Sequence, residues 1–60
     1  MYKYNMAFVM ANKVQEASFI AGLELEGVEV RCVNGNWMCY GLSEEHRDFI
    51  EKYANRFWAL

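Results

Sequence analysis

Cys32, Cys39 and His46 carry the side chains best suited to chemistry in this sequence, because thiolates and imidazole are common zinc ligands. Their spacing matches no compact C-x-x-C knuckle and a fourth ligand is missing, so a metal centre is not expected. Both cysteines read instead as small buried apolar residues on the inner face of a sheet. A disulfide between them is not expected either, because the hairpin described below sets them diagonally rather than face to face. His46, with Glu44, Glu45 or Cys39 as helper, could transfer protons or activate a nucleophile only inside a cleft that holds those groups within hydrogen-bonding distance. The sequence has no serine–histidine–aspartate order, glycine-rich phosphate loop or repeated carboxylate motif. At 60 residues a chain has little cleft to offer, so no enzyme is expected and no cofactor is implied.

Charge is the next candidate. Eight acidic against six basic side chains give a net charge of −2, with no global pull on phosphate backbones, so direct nucleic-acid binding is not expected. The acids are unevenly spread. Glu16, Glu24, Glu26 and Glu29 fall between Lys13 and Arg31 with no base among them, and Glu44, Glu45 and Asp48 crowd around Arg47. They form either an ordinary solvated surface or an electrostatic face for a basic partner.

These residues must be placed by very few elements. Residues 2–10 alternate, with Tyr2, Tyr4, Met6, Phe8 and Met10 on one parity, which is the period of a half-buried strand. Asn34-Gly35 tolerates the positive φ angles of a type I′ turn and closes a hairpin at Val33 and Asn36. This register sets Cys32 opposite Trp37 and Val30 opposite Cys39. Residues 14–25 are ambiguous. Read as a helix, capped by Asn12 and Gly22, they present a weak stripe of Val14, Ala17, Ser18 and Ala21. Read as a strand, they put Ala17, Phe19, Ala21, Leu23 and Leu25 on one face. The strand is preferred, because closing all three joints as two-residue turns places the apolar sets of four strands on one side. Ser43 then caps a C-terminal helix whose Phe49, Ile50, Tyr53 and Phe57 repeat at helical spacing. The expected fold is α+β: a four-stranded antiparallel meander with one C-terminal helix packed on one face, ββββα, as a single small domain over residues 1–60.

In that meander the sheet face away from the helix carries Val9, Val14, Ile20, Val33, Met38 and Tyr40. With 55% apolar residues in so short a chain, the simplest cover for this face is a second copy. A homodimer is expected, with Val9, Ile20, Val33, Met38 and Tyr40 in its interface. The apolar run Phe57-Trp58-Ala59-Leu60 either docks there or closes over the sheet edge of its own chain. Gly22 would lie mid-strand between Lys3 and Arg31, leaving a dimple for an anion or nucleotide phosphate. That is the alternative function, a small-ligand or nucleotide sponge or sensor. Two cysteines, no recognisable signal peptide and a longest charge-free stretch of only residues 32–43 suggest a reducing, cytoplasmic setting with no membrane role.

In size, acidity and aromatic content the chain resembles the small single-domain inhibitors that bacteriophages encode against host enzymes or defence systems. The resemblance is compositional and covers no motif. It implies an anti-defence type of binding protein that inhibits or occludes a larger, basic, nucleic-acid-handling enzyme. Glu24, Glu26, Glu29, Glu44, Glu45 and Asp48 would steer such a protein partner, and Tyr40 and Trp58 would anchor it.

Overall fold

The computed structural model describes residues 3–60, so Tyr2 lies outside it. Six elements follow one another: β1 (Tyr4–Val9), α1 (Lys13–Leu25), β2 (Glu29–Val33), β3 (Asn36–Leu42), α2 (Glu44–Tyr53) and β4 (Arg56–Ala59). The strands form one antiparallel sheet in the order β2-β3-β1-β4. The fold is therefore α+β with four antiparallel strands, as expected, but it has two helices rather than one and is not a meander. Each helix joins two strands that have a third between them. This is a pair of split β-α-β units, the connectivity called ferredoxin-like, which by itself says nothing of function.

Residues 14–25 are helical, and the strand reading is overturned. Asn12 caps α1 by accepting the N–H groups of Val14 and Gln15 at 2.9 and 3.1 Å. The other end is a Schellman motif. Val28 N–H reaches Leu23 O at 3.1 Å and Gly27 N–H reaches Glu24 O at 3.0 Å, with Gly27 at φ +86°. Leu23 and Val28 are both buried and supply the apolar contact that accompanies this cap. Gly27 ends the helix, Glu26 is the C-cap, and Gly22 lies inside it. The core-facing stripe is Glu16, Phe19, Ile20 and Leu23, two positions along from the weak stripe read from the sequence, with Ile20 and Leu23 buried and Glu16 and Phe19 half-buried. Glu16 can occupy it because Trp37 Nε1–H donates to its Oε2 at 2.9 Å.

The hairpin and the second helix follow expectation at their starts. Asn34 and Gly35 take φ 52° and 81°, and Val33 pairs with Asn36, Cys32 with Trp37, and Val30 with Cys39. Ser43 caps α2 in a reciprocal box: its Oγ accepts His46 N–H at 3.2 Å, and His46 Nδ1 accepts Ser43 N–H at 3.1 Å. The helix stops at Tyr53, so Phe57 is not part of its stripe. Asn55 N–H donates to Val9 O at 2.8 Å and leads the chain into β4, which pairs along β1. The apolar run 57–60 thus completes the sheet of its own chain.

Cross-strand partners share a face. The rows Phe57–Phe8–Trp37–Cys32 and Ala59–Met6–Cys39–Val30 look toward the helices. Phe8, Cys39, Leu42 and Ile50 are the largest fully buried side chains there, and Phe19 meets Phe8 edge-on at 5.6 Å between centroids. Only half of the cysteine expectation holds: Cys39 is buried, whereas Cys32 is exposed at the edge strand.

Two glycines separate the helical from the extended reading of this segment. Ala in place of Gly22 meets nothing within 4 Å and gains helix propensity, so Gly22→Ala should stabilise by about 1 kcal/mol. Gly27→Ala puts a Cβ on a left-handed residue and should cost about 1 kcal/mol. Urea unfolding of both variants measures the two shifts. Equal signs would contradict the helix and its cap.

Candidate functional site

The helices cover one sheet face and leave the other open. The open face is built around the row Trp58–Ala7–Met38–Arg31, flanked by the pairs Val9–Arg56, Val33–Asn36 and Tyr40–Glu29. Ala7, between Met38 and Trp58, is fully buried although no helix lies over it. Trp58 remains 39% exposed and Val33 43%; Val9, Met38 and Tyr40 are half-buried. Charge on this face is partly neutralised within it, because Arg31 Nη2 lies 2.7 Å from Glu29 Oε2 and its guanidinium stands 6.0 Å from the Tyr40 ring centroid. Of the residues expected at an oligomer interface, the structure gathers Val9, Val33, Met38 and Tyr40 here. Ile20 is not among them, since α1 carries it into the core on the other side of the sheet. Val14 is also elsewhere, exposed on α1.

The residues expected to bind a partner separate onto two surfaces. Tyr40, Trp58 and Glu29 belong to the open sheet face. Glu24 and Glu26 end α1, and Glu44, Glu45 and Asp48 begin α2. The two helix ends are tied together by His46 Nε2 and Glu26 Oε1 at 2.8 Å. Since Nδ1 of the same ring accepts Ser43 N–H, the neutral tautomer that fits both bonds carries its proton on Nε2 and donates it to Glu26. Four of the acids, Glu26, Glu44, Glu45 and Asp48, therefore collect around one junction between the helices.

The anion dimple is lost as well. Gly22 lies on α1, away from any position between Lys3 and Arg31, and Arg31 is taken by Glu29. Among the described residues, no group of three or more histidine, cysteine or acidic side chains could hold a metal ion. No described helix is long and apolar enough to cross a membrane.

A feature that the sequence reading missed lies between the helices. Phe19, Phe49 and Tyr53 form an aromatic ladder, with centroids 6.3 Å apart for Phe19–Tyr53 and 6.0 Å for the stacked pair Phe49–Tyr53. They border a trough of about 370 Å³ that Met10 and Val14 help to line. Through Ser18, Phe19 and Phe49 it continues into a second hollow of about 210 Å³ beside Gly22, Leu23, Glu26 and His46. The missed signal was helical spacing in residues 16–23, which would have placed Phe19 toward α2. Compared with known protein families, with characterised proteins and with solved structures, the chain shows no match.

Burial pushes the Cys39 thiol up to about 11 from its ordinary 9.0. The thiolate is the reactive form, so iodoacetamide at pH 8 should label Cys32 and spare Cys39, as read by peptide mass spectrometry. The folded state holds this proton more tightly than the unfolded chain does. Its contribution to stability is therefore full below pH 9.0 and is lost as pH rises toward about 11. Cys39→Ala should remove that part of the alkaline slope.

Proposed function

We propose that this chain is a small protein-binding module. It pairs with a second copy through its open sheet face and offers its acidic helix layer to a basic protein, in the manner of an inhibitor that occludes a larger enzyme. The observation that carries this reading is the uncovered sheet face, where Val9, Val33, Met38, Tyr40 and Trp58 stay in contact with water. A face of that composition is a cost in solution unless something covers it.

The dimensions suit a second copy. Four strands at ~4.8 Å spacing make a platform roughly 19 Å wide. A standard interface takes about 800 Å² from each partner, near a fifth of this chain's 4275 Å² surface. Sheets packing in this way interleave side chains from two apolar faces; Arg31 is paired with Glu29 within the face, and Arg56 lies on the outermost strand beside Val9. The surface for the basic partner is separate, on the opposite side of the molecule, where Glu26, Glu44, Glu45 and Asp48 lie around the helix junction. Long-range attraction by those carboxylates would speed encounter with a positively charged target.

Sedimentation at micromolar concentration is expected to give a dimer of the 7.1 kDa chain that 0.5 M NaCl leaves intact, since apolar burial is not screened. Met38→Lys places a charge at the centre of the face and should weaken the dimer at least tenfold while circular dichroism remains that of the parent. A monomer in the parent chain at these concentrations overturns the pairing.

A further inference from the structure

The trough between the helices has the shape and chemistry of a docking groove for one kind of occupant. Its borders are antiparallel helices: the start of α1 faces the end of α2 across Val14 and Tyr53, and the end of α1 meets the start of α2 through Glu26 and His46. The middle is aromatic and open. Phe49 is 51% exposed and Tyr53 48%, a large apolar area to leave in water on the two helices that already supply the core. Gly22 widens one wall, because a Cβ there would have no neighbour within 4 Å. Acidic side chains gather toward one end: Glu26 lines the second hollow with His46, and Glu45 and Asp48 border the adjoining surface beside Phe49, with Lys52 among them. At the start of α1 stand Gln15 and Lys13, whose Nζ lies 3.7 Å from Glu16 Oε2.

We infer that this trough binds a basic amphipathic helix of a partner protein, with an apolar stripe against Phe19, Phe49 and Tyr53 and Lys or Arg residues meeting Glu26, Glu45 and Asp48. The inference rests on the proposed reading of the helix layer as a partner surface and names the partner's chemistry. A helix fits for two reasons. Its backbone hydrogen bonds are satisfied internally, which suits a groove that offers side chains and no free strand edge. The length also agrees: the ten residues of α2 span about 15 Å at 1.5 Å per residue, enough to engage three turns of an occupant. The acidic end gives such a helix a preferred direction and excludes an acidic one.

The test uses the full chain and two fluorescein-labelled peptides of identical leucine and lysine content. One has 14 residues with the leucines at helical spacing; the other has the same residues with two prolines inserted. Fluorescence anisotropy should show the helical peptide binding at least tenfold more tightly than the interrupted one, and more weakly as salt rises. Gly22→Leu fills the trough from within a helix that favours leucine over glycine, so it should cut binding at least tenfold with thermal stability equal or higher. Asp48→Lys should weaken binding chiefly at low salt. Equal binding of both peptides overturns the inference and leaves an acidic surface that attracts by charge alone. Binding of neither peptide overturns the inference and the basic-partner reading together. If Gly22→Leu lowers the sedimentation coefficient to that of a monomer, the trough belongs to a second copy, and the inference fails on that count.

Discussion

The governing constraint is coverage. A sheet of four strands has two faces, and this chain has only 13 and 10 residues of helix with which to cover them. Both helices go to the same side, where Phe8, Cys39, Leu42 and Ile50 are sealed completely. Placing one helix on each face would have left two half-covered cores, neither able to exclude water. The chosen arrangement makes one good core and leaves two apolar remainders: the bare back of the sheet and the aromatic seam where the helices diverge. The organisation of the surface follows from that division.

What could be read from the sequence depended on whether a signal was local. The Asn34-Gly35 turn, the Ser43 cap and the alternation in β1 are set by neighbours along the chain, and each was placed correctly. α1 was hidden because Glu16 sits on its buried stripe. That carboxylate is satisfied by an indole 21 residues away, and no local pattern records such a partner. With Glu16 discounted as surface, the same residues fall into an alternation that happens to agree in parity with the true strands. β4 was hidden for a complementary reason. Phe57 continues the spacing of Phe49, Ile50 and Tyr53, and neither glycine nor proline marks the break at Ala54-Asn55. The helix ends there because pairing along β1 satisfies more backbone than another turn would.

The candidate surfaces inherited these successes and failures. Val9, Val33, Met38 and Tyr40 stay together because the β2–β3 hairpin has the expected register and the alternation of β1 has the expected parity, although β1 pairs with β3 and not with residues 14–25. Ile20 and Val14 left that set with α1, and the Lys3–Gly22–Arg31 dimple disappeared with the strand that defined it. The two surviving surfaces lie on opposite sides of the sheet and differ in chemistry, an open apolar sheet face on one and an acid-rimmed aromatic trough on the other. Under the proposed pairing, the two helix layers of a dimer would face outward in different directions, so that each assembly would present two equivalent grooves to its targets.

The borders of the sheet are unequal. The β2 border displays the Glu29–Arg31 ion pair, which discourages a foreign strand from aligning there. The β4 border has only Arg56 for charge beside Phe57, Trp58 and Ala59, and its outward backbone groups have no partner strand. Crowded samples should therefore self-stack from the C-terminal margin. With four residues in β4, each added ladder can be no longer than a few bonds, so the growth should be shallow and readily reversed on dilution.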